Sequence, residues 1–285
     1  MSKVLVSEEN LTNIANAIRE KNGETATYKP NEMASAIQNI SGGGSTVTKG
    51  IILNSFDDNG YCNEATIVGL TEIPNYYLYQ AAYYNLGDNN HGWFSSENGS
   101  IVHLPNDVTL IGNHAFYHCD KLKSINLPNS IVTINDSAFS YNGSLILTSL
   151  PENLTSIGDY AFNYCFAFTD LVIASQVLTS IGKSAFELSF SYNPTRGLSS
   201  IEITSPVLTL IDNYAFYGDE LLTQVVLRAT TPPTLGTNVF SNTPIAKKTG
   251  FIYVPDDSLE AYKSATNWSA YADQIKPISE MEASL

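Results

Sequence analysis

Charge is scarce in this chain of 285 residues, and basic charge most of all. Lys and Arg together number 14 against 28 Asp and Glu, a formal net charge of −14. Binding to a phosphate backbone needs clustered Lys and Arg, so nucleic acid is not an expected partner. No run reaches the roughly 18–20 apolar residues that span a bilayer, and no membrane insertion is expected. The opening MSKVLVSEENL has no apolar core, so no secretory signal is read there. The four histidines stand at 91, 103, 114 and 118, none in the C-terminal half. A Gly-x-Ser-x-Gly nucleophile elbow is also missing. No enzyme activity and no cofactor are expected from such a chain.

Cysteine is sparse too, with Cys62, Cys119 and Cys165. Cys119 and Cys165 each stand three residues after a Phe, two repeats apart in the pattern described next. At about 4.8 Å between neighbouring strands their backbones should lie roughly 10 Å apart, and a disulfide needs Cα atoms within about 7 Å. Free, buried thiols are expected, in a ladder continued by Asn142, Ser189 and Asp219. Cys62 has no obvious mate.

A repeated phrase dominates what is present. Ile111-Gly-Asn-His-Ala-Phe116, Ile134-Asn-Asp-Ser-Ala-Phe139, Ile157-Gly-Asp-Tyr-Ala-Phe162, Ile181-Gly-Lys-Ser-Ala-Phe186 and Ile211-Asp-Asn-Tyr-Ala-Phe216 are copies of I-[GND]-x-x-A-F. They are spaced 23, 23, 24 and 30 residues apart, and a sixth unit ends at Leu235 to Phe240. Such a period marks a solenoid, in which each unit buries its apolar face only against its neighbours. Leu122, Ile125 and Leu127 open one unit, and Leu198, Ile201, Ile203 and Leu222, Val225, Leu227 open later ones. The Ile-x-Leu step has the period of a short strand. Pro105, Pro128 and Pro151 follow the strands, where a missing N–H ends pairing. The Ala-Phe pair sets a small residue beside a large one, so that each Phe can stack on the Phe of the next coil.

These residues resemble the bacterial surface-antigen, BspA-like, type of leucine-rich repeat over about residues 99–265. The resemblance implies an α+β chain, a leucine-rich-repeat solenoid of short parallel strands in 23–30-residue repeats. Its closing segment would run through Pro232-Pro233, Ile252 to Pro255 and Leu259 to Trp268, with Leu259–Tyr262 a helix over the last coil. The fourth unit carries an insertion, Phe190 to Gly197, expected to emerge as a surface loop.

The N-terminal part differs in kind. Residues 1–40 read as a small helical hairpin: Ser7 is a candidate cap, and Leu11, Ile14, Ala15 and Ile18 form one stripe. Met33, Ala36, Ile37 and Ile40 form a second stripe. Gly and Ser at 41–45 give a flexible linker, set at 41–48. The phrase LTNIANAIREKNG…YKPNEMASAIQNI resembles a helical module of phage and prophage tail or baseplate proteins, which implies attachment to other tail proteins. Residues 49–98 read as an N-terminal cap, with a hairpin of Ile51–Leu53 and Thr66–Val68 around Asp58-Asn59-Gly60. Ile73 and Leu78 mark a degenerate first repeat. Repeats then occupy 99–240 and a C-terminal cap 241–285.

Candidate contact residues lie in two places. A Tyr- and Trp-rich stretch holds Tyr76, Tyr77, Tyr79, Tyr83, Tyr84 and Trp93, rings that supply contact area at low entropic cost. Two outward columns of the strands are expected to run Ile101, Ser124, Leu147, Asp170, Ser200, Gln224 and His103, Asn126, Ser149, Val172, Glu202, Val226. His114, His118 and Cys119 would suit a metal only if other units kept the pattern, and they do not, so no metal is expected. The reading that results is a non-enzymatic binding and display protein, phage- or prophage-tail-associated, recognising a host cell-surface protein or glycan. Its expected place is a virion or an extracellular surface. The alternatives are a bacterial surface adhesion protein and a purely structural virion component. A homo-oligomer is possible on this reading.

Overall fold

The computed structural model describes residues 4–7, 50–56, 62–78, 99–188 and 196–283. The helical hairpin from residue 8 on, the linker, the aromatic stretch 79–94 and most of the insertion (190–195) lie outside the described residues. Chain order begins with β1 (Val4–Ser7), β2 (Gly50–Phe56), β3 (Cys62–Val68) and β4 (Glu72–Ile73). β2 and β3 are the hairpin read from the sequence, paired antiparallel from Gly50↔Val68. β1 adds antiparallel to β2. Ser7, read as a helix cap, is thus the last residue of a strand.

From there each coil supplies one strand to each of two sides. The first pairs are β5 (Ser100–His103) with β6 (Leu110–Ile111) and β7 (Leu122–Ile125) with β8 (Thr133–Ile134). β9 (Ser149–Leu150), β10 (Ser156–Ile157), β11 (Asp170–Ile173) and β12 (Ser180–Ile181) follow. β13 (Ser200–Ile203), β14 (Leu210–Ile211), β15 (Gln224–Leu227) and β16 (Thr234–Leu235) complete the repeats. The even-numbered strands β4 to β16 form one seven-stranded parallel sheet. The opposite side is split, with one sheet ending at β7 and another starting at β9.

The repeat phrase accounts for the core. Its Ile residues stack in register, for instance Ile157 between Ile134 and Ile181. Each Ala-Phe pair is buried, and the six Phe rings from Phe116 to Phe240 stack in one column. Centroid spacings run from 5.0 Å (Phe116–Phe139) to 5.7 Å (Phe216–Phe240), with planes within 10° of parallel. The Phe186–Phe216 step spans the insertion, yet its spacing is 5.5 Å. The extra residues are therefore accommodated without displacing the core.

The turn after each Ile carries backbone strain. His114, Ser137, Tyr160, Ser184 and Tyr214 all have positive φ, as do His118, Tyr141 and Tyr164. Each such non-glycine residue costs on the order of 1 kcal/mol or more. The compensation is a hydrogen bond to the next coil, as from the Tyr160 N–H to Lys183 O (2.8 Å). The approach at Gly182 is close, since a Cβ there would lie 2.6 Å from the Gly158 backbone, although Asn135 and Asp212 hold the same place in two other coils.

The sheet on the split side continues past the repeats. β17 (Phe251–Val254) pairs with β15, and β18 (Ile275–Pro277) pairs with β17. Between them α1 (Leu259–Ser264) buries Tyr262, as expected for a helix closing the last coil. Trp268 is buried nearby and donates from Nε1 to Pro233 O (2.7 Å). α2 (Ile278–Glu282) ends the described chain. All three cysteines are free and buried.

Candidate binding surface

The outward columns exist, with two corrections. Ile101 pairs with Ser124, and Asp170, Ser200 and Gln224 lie in register on β11, β13 and β15. Ser149, Val172, Glu202 and Val226 form the second column. Leu147, however, is buried at 8% exposure, while its neighbours Ile146 and Thr148 are exposed. The segment Leu145-Ile-Leu-Thr-Ser-Leu150 sets its middle apolar residue one place early. Where Ser124-Ile125 is out then in, Leu147-Thr148 is in then out. A one-residue shift inverts the faces, and the sheet breaks at that point.

Val226 is the second correction, at 2% exposure. The C-terminal segment accounts for it. Gln224 Nε2 lies 3.5 Å from Met281 Sδ on α2. Arg228 reaches Glu202 (2.9 Å) and, more distantly, Glu282 (3.8 Å). The chain end thus folds over the outer face of the last coils. Gln224 is already engaged by this cap.

The other candidate residues sort by what they touch. Asn126 presents both ends of its amide to the Leu104 backbone, accepting from N–H (2.6 Å) and donating to O (3.2 Å). It works as a clamp between coils. His103 pairs with Glu64 at 2.9 Å, on the neighbouring strand. Asp170 accepts from Ser199 (3.1 Å) and Ser200 (2.5 Å). Val172 remains exposed at 37%. Asp170, Val172, Ser200 and Glu202 therefore form an open patch on two paired strands, between the break at Leu147 and the cap at Met281. Ser124 and Ser149 lie exposed on either side of that break.

Of the aromatic candidates, Tyr77 packs against the core. Tyr76 is 45% exposed and stacks on His114, centroids 4.8 Å apart. Tyr79, Tyr83, Tyr84 and Trp93 lie outside the described residues. Sequence reasoning missed a second aromatic array. His118, Tyr141 and Tyr164 stack face to face on successive coils, at 4.5 and 4.6 Å. The signal was available, since an aromatic ring stands two residues after the Phe in three consecutive units. Faces engaged in stacking cannot also stack on a sugar ring, so this array offers edges. Burial also holds the His114 imidazole below its ordinary pKa. Neither His114 nor His118 is part of a metal cluster, and no group of three ligating side chains occurs among the described residues.

The coil geometry is the setting for comparison with known proteins. Six copies of the BspA type leucine rich repeat region match residues 90–194 and 188–263, more than half of the chain. The chain belongs to the BspA type leucine-rich repeat family. Among solved structures, this BspA-type protein is similar to a T. pallidum leucine rich repeat protein at 21% identity and a TM-score of 0.44. That likeness covers 73% of this chain and 96% of the other. It is also similar to a leucine-rich repeat protein from Bacteroides ovatus at 20% identity and a TM-score of 0.31. Here 56% of this chain and 46% of the other are covered. No curated protein matches it. No helix among the described residues is long and apolar enough to cross a membrane.

Proposed function

We propose that this BspA-type protein is a non-enzymatic binding and display protein that recognises a cell-surface protein or glycan through its repeat domain. The observation that carries this reading is the open patch of Asp170, Val172, Ser200 and Glu202. It combines an exposed aliphatic side chain with acceptors and hydroxyls held on two hydrogen-bonded strands. Ser124 and Ser149 extend it towards the N-terminal coils, and the Tyr and Trp side chains of residues 76–93 are a further contact region. A partner would gather many weak polar contacts, multiplied when several copies are displayed together.

The finer reading is a phage or prophage tail-associated host-recognition role, with residues 1–40 holding other tail proteins. It rests on the N-terminal phrase LTNIANAIREKNG…YKPNEMASAIQNI. A bacterial surface adhesion protein would use the same patch without that attachment.

The test is saturable binding of the labelled full chain to a panel of Gram-positive bacteria, with V172R and S200R as surface variants. T179R, at an exposed position just before β12 of the opposite sheet, is the control. Recognition through the patch predicts that V172R and S200R weaken binding roughly tenfold or more, the range of an interface hot spot. T179R should bind as the wild type does. Equal binding by all variants removes the patch as the site. No binding to any strain, with capture of tail proteins that requires residues 1–40, would instead indicate a structural virion component.

A further inference from the structure

One buried side chain breaks the rule that its neighbours follow. In three of the described coils the residue three places after the repeat Phe donates to a Phe carbonyl, while Cys119 in the first has only a long contact to Tyr117 O (4.0 Å). Asn142 donates from Nδ2 to the carbonyls of Phe116 (2.8 Å) and Phe139 (2.7 Å), in the preceding coil and its own. Cys165 directs its thiol at Phe139 O (3.2 Å), again in the preceding coil. Thr243 donates to Phe240 O (2.7 Å), in its own coil. The chemistry of the side chain changes from amide to thiol to hydroxyl, while the direction of the hydrogen bond does not.

Asp219 occupies this position in the fifth coil, and it is buried at 1% exposure. By repeat equivalence the carbonyls it faces are those of Phe186 and Phe216. An ionised carboxylate has no hydrogen to give them. Neither Asp219 oxygen has a hydrogen-bond partner of good geometry; the Leu198 backbone N–H is near enough to favour the ionised form, but burial outweighs it. An unpaired buried charge costs far more than a neutral buried acid. Among the described residues, the charge that acts on it is also negative, Glu187 on the preceding coil. The following coil presents the Thr243 hydroxyl at the equivalent place, and Glu220, next in the chain, is exposed.

We propose that Asp219 is a neutral carboxylic acid in the native solenoid, donating its hydrogen to the Phe carbonyl ladder as Asn142 and Thr243 do. The joint between the fourth and fifth repeats is then a proton-dependent clasp. Burial, reinforced by Glu187, pushes the Asp219 carboxyl well above the usual carboxylate range. The direction of the pH effect follows. In the unfolded chain the group ionises near its ordinary value of about 4, and in the native chain only at higher pH. The native state therefore loses stability as pH rises through that window, and the contribution is fully present only below it.

Thermal unfolding of the full chain and of D219N, followed from pH 4 to pH 9, tests this. Asn supplies a donor at every pH. The Tm of D219N should exceed that of the wild type by several degrees at pH 8, with the gap closing towards pH 4. A gap independent of pH, or a D219N variant less stable throughout, overturns the proposal. A second measurement needs no variant. With 13C-labelled aspartate, the native wild type should show one carboxyl signal still at the protonated position at pH 7. Aspartate signals all at the ionised position would overturn the proposal. Calcium added alone is the third arm. If it raised the Tm of the wild type and not of D219N, the carboxylate would be a cation ligand and the proposal would fall.

Discussion

At the scale of single residues, this molecule is a set of columns, and each column has its own chemical rule. The Phe column is the strictest. Phe162 is buried and lies between Phe139 at 5.4 Å and Phe186 at 5.3 Å, both nearly parallel to it. The strand spacing of about 4.8 Å fixes how far apart the rings stand. Centroid distances a little above that are those of offset stacking, the favourable arrangement for aromatic pairs. F162A removes contacts on both sides at once, and the neighbouring coils cannot close the gap without shearing their strands. A loss of about 3–5 kcal/mol is expected, read as a lower urea midpoint with little change in slope. A loss below about 1 kcal/mol would mean that the coils collapse into the cavity. These columns were legible in the sequence because identity recurs in them: Ile, Ala and Phe return at a fixed step. The donor column was harder to read, since Asn, Cys, Asp and Thr share no hydropathy. The ladder of Asn142 and Asp219 with the cysteines was foreseen as a set of buried positions, but the direction of its hydrogen bonds appears only in the folded coils. Burial also raises the thiols, to about 12 for Cys165.

At the scale of elements, the departure is the split between β7 and β9. Strand periodicity made it predictable in principle, since Leu147-Thr148 inverts the polar-apolar order of Ser124-Ile125. Aligning repeats by count alone placed Leu147 outside, and local burial overrode the count. The double variant L147S/T148I restores the order found around Ser124-Ile125. It should join the two sheets and recover the stability that L147S alone loses. The single variant should cost about 2–5 kcal/mol, the range for truncating a buried Leu, because Leu147 has no exposed alternative. Equilibrium unfolding of the two variants checks this. If the double variant were as unstable as L147S, Thr148 would be held outside by something other than its polarity. The C-terminal elements show the opposite case. α1 was legible as an amphipathic run, whereas α2 over Val226 was not, because five residues with Ile278 and Met281 carry little pattern.

At the scale of the whole molecule, a solenoid has no single centre, and stability passes between neighbouring coils. Its ends therefore matter more than those of a globular domain. The C-terminal end is closed by Trp268 and Tyr271, both against Phe240 at the foot of the Phe column. Trp268 also spans to the last turn through Pro233 O. W268A should open this end without unfolding the rest. In hydrogen exchange, amides of β15 to β18 should lose protection while those of β8, β10 and β12 keep theirs. Uniform loss along the chain would show that the repeats unfold as one cooperative unit and that the nearest-neighbour picture fails. The distinction bears on function. Glu202 and Asp170 stand one and two coils before the last repeat, and Arg228 and Glu282 tie the patch's rim to α2. If opening of the cap spreads inward by only one coil, W268A should leave Val172 and Ser200 in place while freeing Gln224 and Val226. A partner that gains affinity from W268A would then be reading the face that α2 now covers.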